Sequence, residues 1–192
     1  MRISRLNSWL RGLFGGVPGK PSGDEIHSAS VEFLSPLNRG VLGYLRKRSR
    51  KAGLVSASPT SVEDPLTKTS THPEIGERLW GTLAASLPVD CRWIVCGTPV
   101  LMHPQTGVLF GVGIGMAYCL RLTDADMEIA LKTGASTEIR WSSGSPLDLA
   151  RQFGPGWVAG SWQQVELEWC RAEYEALGRT AAGEVAPEEG VS

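Results

Sequence analysis

The sequence predicts an α+β fold, with a small antiparallel sheet of four to five strands and helices packed on one face. Three observations predict this class. Short apolar runs of strand length lie between residues 92 and 122 and are separated by turns that contain Gly and Pro. Segments with helical spacing and capping residues lie on both sides of these runs. Hydrophobic residues make up 42% of the chain and the net charge is −1, as is typical of a folded domain.

Composition divides the chain into three parts. Residues 1–70 are predicted to be a basic, largely disordered arm with one or two short amphipathic helices, because Gly, Pro and Ser are frequent there. Residues 71–178 are predicted to be the globular domain, and residues 179–192 a disordered tail. The first 53 residues carry a net charge of +7 and the remainder −8. We therefore expect the arm to attract acidic partners.

Two helices are expected within the arm. Apolar residues at helical spacing between Ile3 and Phe14, with arginines off the stripe, predict a basic amphipathic helix that could lie on an anionic membrane. A second helix, over 37–51, ends in a basic patch. This patch could contact the phosphates of nucleic acid or lipid, or it could be a solvated helix end whose charge suits the helix dipole. The patch comprises Arg46, Lys47, Arg48, Arg50 and Lys51.

The domain opens with a helix and continues with strands. The stretch Thr71-His-Pro-Glu74 is a capping box and predicts a helix that ends before Pro88. Two extended segments follow, on either side of a break that contains Gly97. A turn then leads into the next strand at Val108. The extended segments and the turn are Arg92–Cys96, 99–102 and His103–Gly107.

Glycine occupies alternate positions of the next strand, at Gly111, Gly113 and Gly115. A phosphate-binding glycine loop would open a helix, but strand-like residues follow here, so we interpret 107–122 as bent sheet. Strand alternation puts Leu109 on the glycine face, which is then a candidate binding groove. The opposite face is predicted to carry Val108, Phe110, Val112, Ile114 and Met116.

The second half of the domain alternates helices with short strands. Thr123 is predicted to cap a helix that runs to Lys132. The stretch Ser161-Trp-Gln-Gln164 reads as a second capping box, which opens the last helix. Between them we expect a strand at Glu138–Trp141, a helical turn from Ser145-Pro146 and an extended segment at 157–159. The acids of the last helix are expected on its solvated face, namely Glu166, Glu168, Glu173 and Glu175.

The spacing of the four cysteines excludes several classes of site. They form no CxxC pair and match no zinc pattern, so we expect reduced, partly buried thiols in a cytoplasmic protein, with no metal and no cofactor. The sequence also contains no apolar run of membrane-spanning length. No residue is assigned a catalytic role.

Residues 71–177 combine a helix, glycine-bearing middle strands and a tryptophan-containing last helix with three distinctive stretches: Phe110-Gly111-Val-Gly113, Tyr118-Cys-Leu-Arg-Leu122 and Gly134-Ala135. In this order of elements and in these stretches the chain resembles the N-terminal domain of TfoX-like competence regulators. The Met-Phe-Gly-Gly motif typical of that family is not present here. The resemblance implies a regulatory or interaction role and brings no catalytic residues with it.

The sequence thus predicts a non-enzymatic binding or regulatory module that acts through protein interaction. Two alternatives stay open: a membrane-peripheral accessory protein anchored by the arm, and a small-ligand-binding enzyme that uses His103 and the glycine face. The basic arm could also bind nucleic acid. The predicted ligand or partner surface comprises Gly111, Gly113, Gly115, His103 and Trp162.

Overall fold

The computed structural model describes residues 35–48, 54–56, 71–142 and 144–182. Helices and strands within these ranges are numbered in chain order. The helices are α1 (Arg39–Arg48), α2 (Pro73–Glu77, continued by a π-helical segment at Arg78–Leu83), α3 (Asp124–Lys132), α4 (Leu149–Phe153) and α5 (Glu166–Ala182). The strands are β1 (Leu54–Ser56), β2 (Arg92–Val95), β3 (Thr98–Met102), β4 (Leu109–Ile114), β5 (Ala117–Arg121), β6 (Glu138–Ile139), β7 (Leu147–Asp148) and β8 (Trp157–Ala159).

Six strands form one antiparallel sheet in the order β1-β2-β3-β4-β5-β8, and β6 pairs with β7 separately. Cys96 and Gly97, with φ of 52° and 73°, turn β2 directly into β3 as a hairpin, where the sequence predicts only a break. β8 returns to β5 after α3, the β6–β7 pair and α4. The α+β class and the antiparallel sheet are confirmed. Five strands belong to the predicted domain, and β1 adds a sixth at the edge.

Helices cover both faces of the sheet, whereas the sequence predicts helices on one. On the first face, α2, α3 and α5 pack over an apolar cluster that contains Leu120 and Trp169. On the second face, α1 and α4 pack over a cluster that contains Val41 and Val112. The physical reason is that β3 and β4 are buried at every position, so both of their faces need cover. The predicted helix over 37–51 is α1, and it lies against the sheet although the sequence assigns it to the arm.

A buried asparagine joins the start of α1 to the sheet. Asn38 is 1% exposed, and its side-chain amide donates to the carbonyl of Gly107 at 2.7 Å. Its side-chain oxygen accepts from the backbone N–H of Leu109 at 2.9 Å. The side chain thus acts as a strand partner for backbone groups that β3 leaves unpaired.

The helix starts differ from the predicted capping boxes. His72 rather than Thr71 is the N-cap of α2, and its Nδ1 accepts from the N–H of Glu74 at 3.4 Å. The predicted helical turn at Ser145-Pro146 is instead a loop that leads into β7. The helix begins at Leu149 because Asp148 caps it, accepting from the N–H of Arg151 at 2.9 Å.

A β-bulge in β4 changes which side chains share a face. Leu101 pairs with Gly111, but the next residue, Met102, pairs with Leu109, so Phe110 is the extra residue. Leu109 therefore lies in the cluster of the second face and Phe110 in that of the first. The predicted alternation is wrong at Val108, Leu109 and Phe110, because an inserted residue reverses the side-chain period, and Val108 lies with Phe110 in the first cluster rather than with Val112.

Candidate interaction site at Trp162

A buried ion pair lies on the first face, where α5 begins. The π-helical segment after α2 supplies Arg78, α5 supplies Glu166 as its first residue, and β5 supplies Tyr118. The side chains of Arg78 and Glu166 are 8% and 1% exposed. The loop between β8 and α5 covers this group and carries Trp162.

The polar groups of this cluster are tightly connected. Nη2 of Arg78 donates to Oε2 of Glu166 at 2.7 Å and to the carbonyl of Gln163 at 2.8 Å. Nε of Arg78 donates to the hydroxyl of Tyr118 at 3.3 Å. That hydroxyl donates to Oε2 of Glu166 at 2.5 Å and accepts from the N–H of Trp162 at 2.9 Å. A buried ion pair offsets its desolvation only when further hydrogen bonds surround it, and backbone groups of the loop supply two of them here.

The loop is fixed to this cluster at its first residues. The N–H and the hydroxyl of Ser161 donate to Oε1 of Glu166 at 2.6 and 3.0 Å. The predicted capping box is therefore wrong: the last helix begins at Glu166, whose carboxylate accepts from both donors of Ser161. A Cβ at Gly160 would collide with the ring of Tyr118, so only glycine lets the loop lie on that ring.

Trp162 is held in a left-handed backbone conformation with its side chain in solvent. Its φ is 65° and its exposure is 53%. The ring meets Tyr118 edge-on at a centroid distance of 5.5 Å, and Cζ of Arg78 lies 5.5 Å from the indole centroid. A left-handed conformation costs a non-glycine residue roughly 1–3 kcal/mol, so the surrounding hydrogen bonds must hold it. The result is an indole fixed on one side and open on the other.

The electrostatics of the cluster favour a structural role for its phenol. Burial, and then the hydrogen bond to Glu166, raise the pKa of Tyr118. The hydroxyl thus stays protonated at neutral pH and donates to the carboxylate. The arrangement can fix the loop conformation and present Trp162.

The glycine face is covered. A Cβ on Gly111 would lie 2.9 Å from the side chain of Leu101, and one on Gly113 would lie 2.9 Å from that of Thr71. Both glycines are buried, and α2 begins directly above Gly113. Gly115, with φ of 60°, is exposed in the turn that joins β4 to β5. The strand interpretation of this stretch is confirmed, but the groove predicted on the glycine face is filled by the protein itself.

His103 is a buried part of the turn between β3 and β4. It is 2% exposed, and its ring lies 4.7 Å from that of Tyr174 on α5. Its Nδ1 accepts from the N–H of Thr106 at 3.3 Å, which fixes the turn. Burial lowers the pKa of His103, so the imidazole is neutral near pH 7. The structure therefore does not bring His103, the glycines and Trp162 together in one exposed surface.

The basic patch lies partly within the described residues. Arg46, Lys47 and Arg48 are exposed on the last turn of α1, whereas Arg50 and Lys51 lie outside the described residues, as does the predicted helix at 3–14. The apolar face of α1 is buried against the sheet, so α1 can offer a membrane its charges but not that face. Of the described helices, none is both long and apolar enough to cross a bilayer.

The four cysteines are free, buried thiols, as expected. Burial raises the pKa of Cys91 to about 12, and it also raises those of Cys96, Cys119 and Cys170. Such thiols are poor nucleophiles at neutral pH. In the described part of the chain, His, Cys, Asp and Glu side chains form no group of three that could hold a metal ion.

The sequence predicts Trp162 as a candidate surface residue but does not predict the charged residues beneath it. Glu166 and Glu173 are buried, although both are expected on the solvated face of the last helix. The overlooked signal was their spacing. Both acids fall at helical intervals on the stripe that also carries Trp169, Cys170 and Leu177, which faces the sheet. An acid on such a stripe requires a basic or hydrogen-bonding partner.

Comparison with protein-family models, with curated proteins and with solved structures found no match for this chain.

Proposed function

We propose that this protein is a non-enzymatic binding module that acts through protein interaction, with Trp162 as the anchor of its partner surface. The observation that carries the proposal is that Trp162 is half exposed in a left-handed conformation. Trp is among the residues that most often dominate binding energy at protein interfaces. Strained backbone also tends to occur at functional sites, where the surrounding structure maintains it.

The buried charges beneath Trp162 also support this role, because burying them costs free energy of desolvation. A buried ion pair such as Arg78–Glu166 generally adds little net stability relative to apolar residues of similar volume. Its hydrogen bonds here end on the loop that presents the indole. Positioning Trp162 accounts for a cluster that stability alone would not require. A rigid anchor also loses less conformational entropy when a partner binds.

The nucleophiles and bases considered in the sequence fit a binding role better than a catalytic one. The ring of His103 is buried against Tyr174, and His72 caps α2. The cysteine thiols are buried with raised pKa values. Acid–base or thiol chemistry would need such groups at an accessible site. A regulatory role, which the TfoX-like resemblance also implies, would use the same surface.

The test compares two substitutions that each remove one exposed apolar side chain. Trp162→Asn removes the indole while keeping a residue that tolerates positive φ, and Leu131→Asn removes a side chain on α3 that is 49% exposed. The full chain is used to isolate partners from cells of its source, and direct binding of each recovered protein is measured by calorimetry. We expect Trp162→Asn to weaken binding by about 30-fold or more and Leu131→Asn by less than about twofold.

Urea unfolding of both variants shows whether each has kept its fold. If Trp162→Asn folds and binds every recovered partner as tightly as the wild-type chain, Trp162 is not the anchor and the proposal is wrong.

A further inference from the structure

A pocket lies on the second face, apart from the Trp162 surface. Its volume is about 460 Å³, within the range of small-molecule sites. Tyr44 and Arg48 of α1 form one side of it, and Trp141 and the loop 144–147 form the other. The helix with the basic patch thus borders a pocket whose second wall comes from a distant part of the sequence.

Arg48 brings an available positive charge to this pocket. Its side chain is exposed and makes no ion pair with an acid within the described residues, although its Cζ lies 5.4 Å from the ring centroid of Tyr44 and its charge acts on the Tyr44 hydroxyl. Arg46 and Lys47 precede it on the same exposed turn. The C-terminus of a helix carries only about half a negative charge, so three cations leave this end of α1 clearly positive. An anion is therefore the expected kind of ligand.

Aromatic rings flank the same arginine. Trp141 is half-buried and the ring of Tyr44 is buried, and both line the pocket. The sequence shows no aromatic residue interleaved with the basic patch, but the fold brings Trp141 to it. Planar groups stack on such rings and on guanidinium groups. Pro146 and Leu147 add apolar surface beside them.

We propose that this pocket binds a nucleoside monophosphate, with the phosphate at Arg48 and the planar base against Trp141. Arg48 lines the pocket, and Arg46 and Lys47 add positive charge on the same helix turn, which together favour a phosphate over a singly charged carboxylate. The volume exceeds what a phosphate ion alone would fill and accommodates a ring as well. The same chemistry is offered by a free nucleotide and by one unit of a single-stranded nucleic acid.

The test is an NMR titration of the ¹⁵N-labelled full chain with AMP, up to about 10 mM. We expect the indole N–H signal of Trp141 to shift and to saturate. Arg48→Gln should weaken AMP binding by about tenfold or more, the loss of one charge-assisted contact. Arg179→Gln is the matched control, because it removes an exposed arginine from α5 on the first face, and it should change the affinity by less than about twofold.

Two partial ligands separate the two halves of the site. Adenosine lacks the phosphate and ribose 5-phosphate lacks the base, so both should bind more weakly than AMP. Tetraadenylate identifies the source: tighter binding than AMP indicates a strand, and equal or weaker binding indicates a free nucleotide.

Three results would overturn the proposal: no shift of the Trp141 signal, equal affinities of Arg48→Gln and Arg179→Gln for AMP, or ribose 5-phosphate binding as tightly as AMP. Should Arg48→Gln alter the fold, the comparison of AMP with adenosine on the wild-type chain decides instead, and equal affinities would again refute it.

Discussion

Each face of the sheet buries a tyrosine, and the two faces treat its hydroxyl group in opposite ways. On the first face the hydroxyl of Tyr118 meets Arg78, Glu166 and the N–H of Trp162. On the second face Tyr44 is 8% exposed, and its hydroxyl has no hydrogen-bond partner among the described residues. The first face therefore holds its buried tyrosine in a specific set of hydrogen bonds, whereas the second face holds its tyrosine by apolar packing.

The neighbours of Tyr44 support this contrast. Its ring meets that of Phe153 edge-on at 5.3 Å, and Phe153 in turn meets Trp157 at 5.4 Å. Apolar packing of this kind tolerates changes of side chain as long as the volume is kept. A connected polar cluster does not, because losing one member leaves the others buried without partners. The difference indicates that the first face requires particular side chains in one conformation, whereas the core of the second face requires mainly a given apolar volume.

The largest expected effect comes from breaking the ion pair of the first face. Glu166→Ala leaves the guanidinium of Arg78 buried without its carboxylate, and we expect a loss of about 3–5 kcal/mol in the free energy of unfolding. Urea denaturation measures it. Glu175→Ala, at an exposed position of the same helix, should cost less than about 0.5 kcal/mol. Similar losses in both variants would mean that the pair is not integral to the first face.

The two tyrosines allow the direct comparison, with an intermediate effect. Tyr118→Phe should destabilise the protein by about 1–3 kcal/mol, because it leaves buried partners unpaired. Tyr44→Phe removes a hydroxyl that lacks a partner, so stability should stay the same or rise by up to about 1 kcal/mol. Thermal or urea unfolding measures both changes. If Tyr44→Phe costs as much as Tyr118→Phe, the two faces do not differ as described.

The smallest expected effect is a pH dependence at His103 on the first face. Burial lowers the pKa of His103 below its ordinary 6.5, so the unfolded chain takes up a proton that the folded chain refuses. Stability should therefore fall as pH drops from 6.5 towards the lowered value, with a slope of at most about 1.4 kcal/mol per pH unit. His103→Gln should remove this component when unfolding is followed between about pH 5 and pH 7.

The free energy of unfolding of the variant must be subtracted from that of the wild-type chain at each pH, because Glu173 contributes a pH dependence of the opposite sign. Burial raises the pKa of Glu173, so its contribution to stability falls as pH rises through that raised value. This acid is present in both proteins and cancels. A variant whose pH profile matches that of the wild type would show that the imidazole of His103 is protonated equally in the folded and unfolded chains.

Local sequence signals predicted the positions of the helices and strands well. They predicted poorly which side chains are buried and which residues those side chains contact. The strand at Arg92, the cap at Thr123 and the glycine strand follow from periodicity and capping chemistry, which act over a few residues. The bulge at Phe110 arises from pairing with β3 and has no local signature. The burial of Glu166 depends on Arg78, which is distant in sequence. Of the candidate site, the sequence could therefore offer Trp162 but not the residues that fix its position.

The side chain of Asn38 has a practical consequence for how this chain can be shortened. A fragment that starts at Thr71 would lack both this side chain and α1, leaving the N–H of Leu109 without its acceptor and one side of the sheet bare. Such a fragment is expected to self-associate through the apolar sheet face that it newly exposes to water. Interaction experiments on shortened versions of the protein should therefore keep all residues from Ser35 onward. Otherwise nonspecific binding to the uncovered sheet face would be mistaken for specific partner binding.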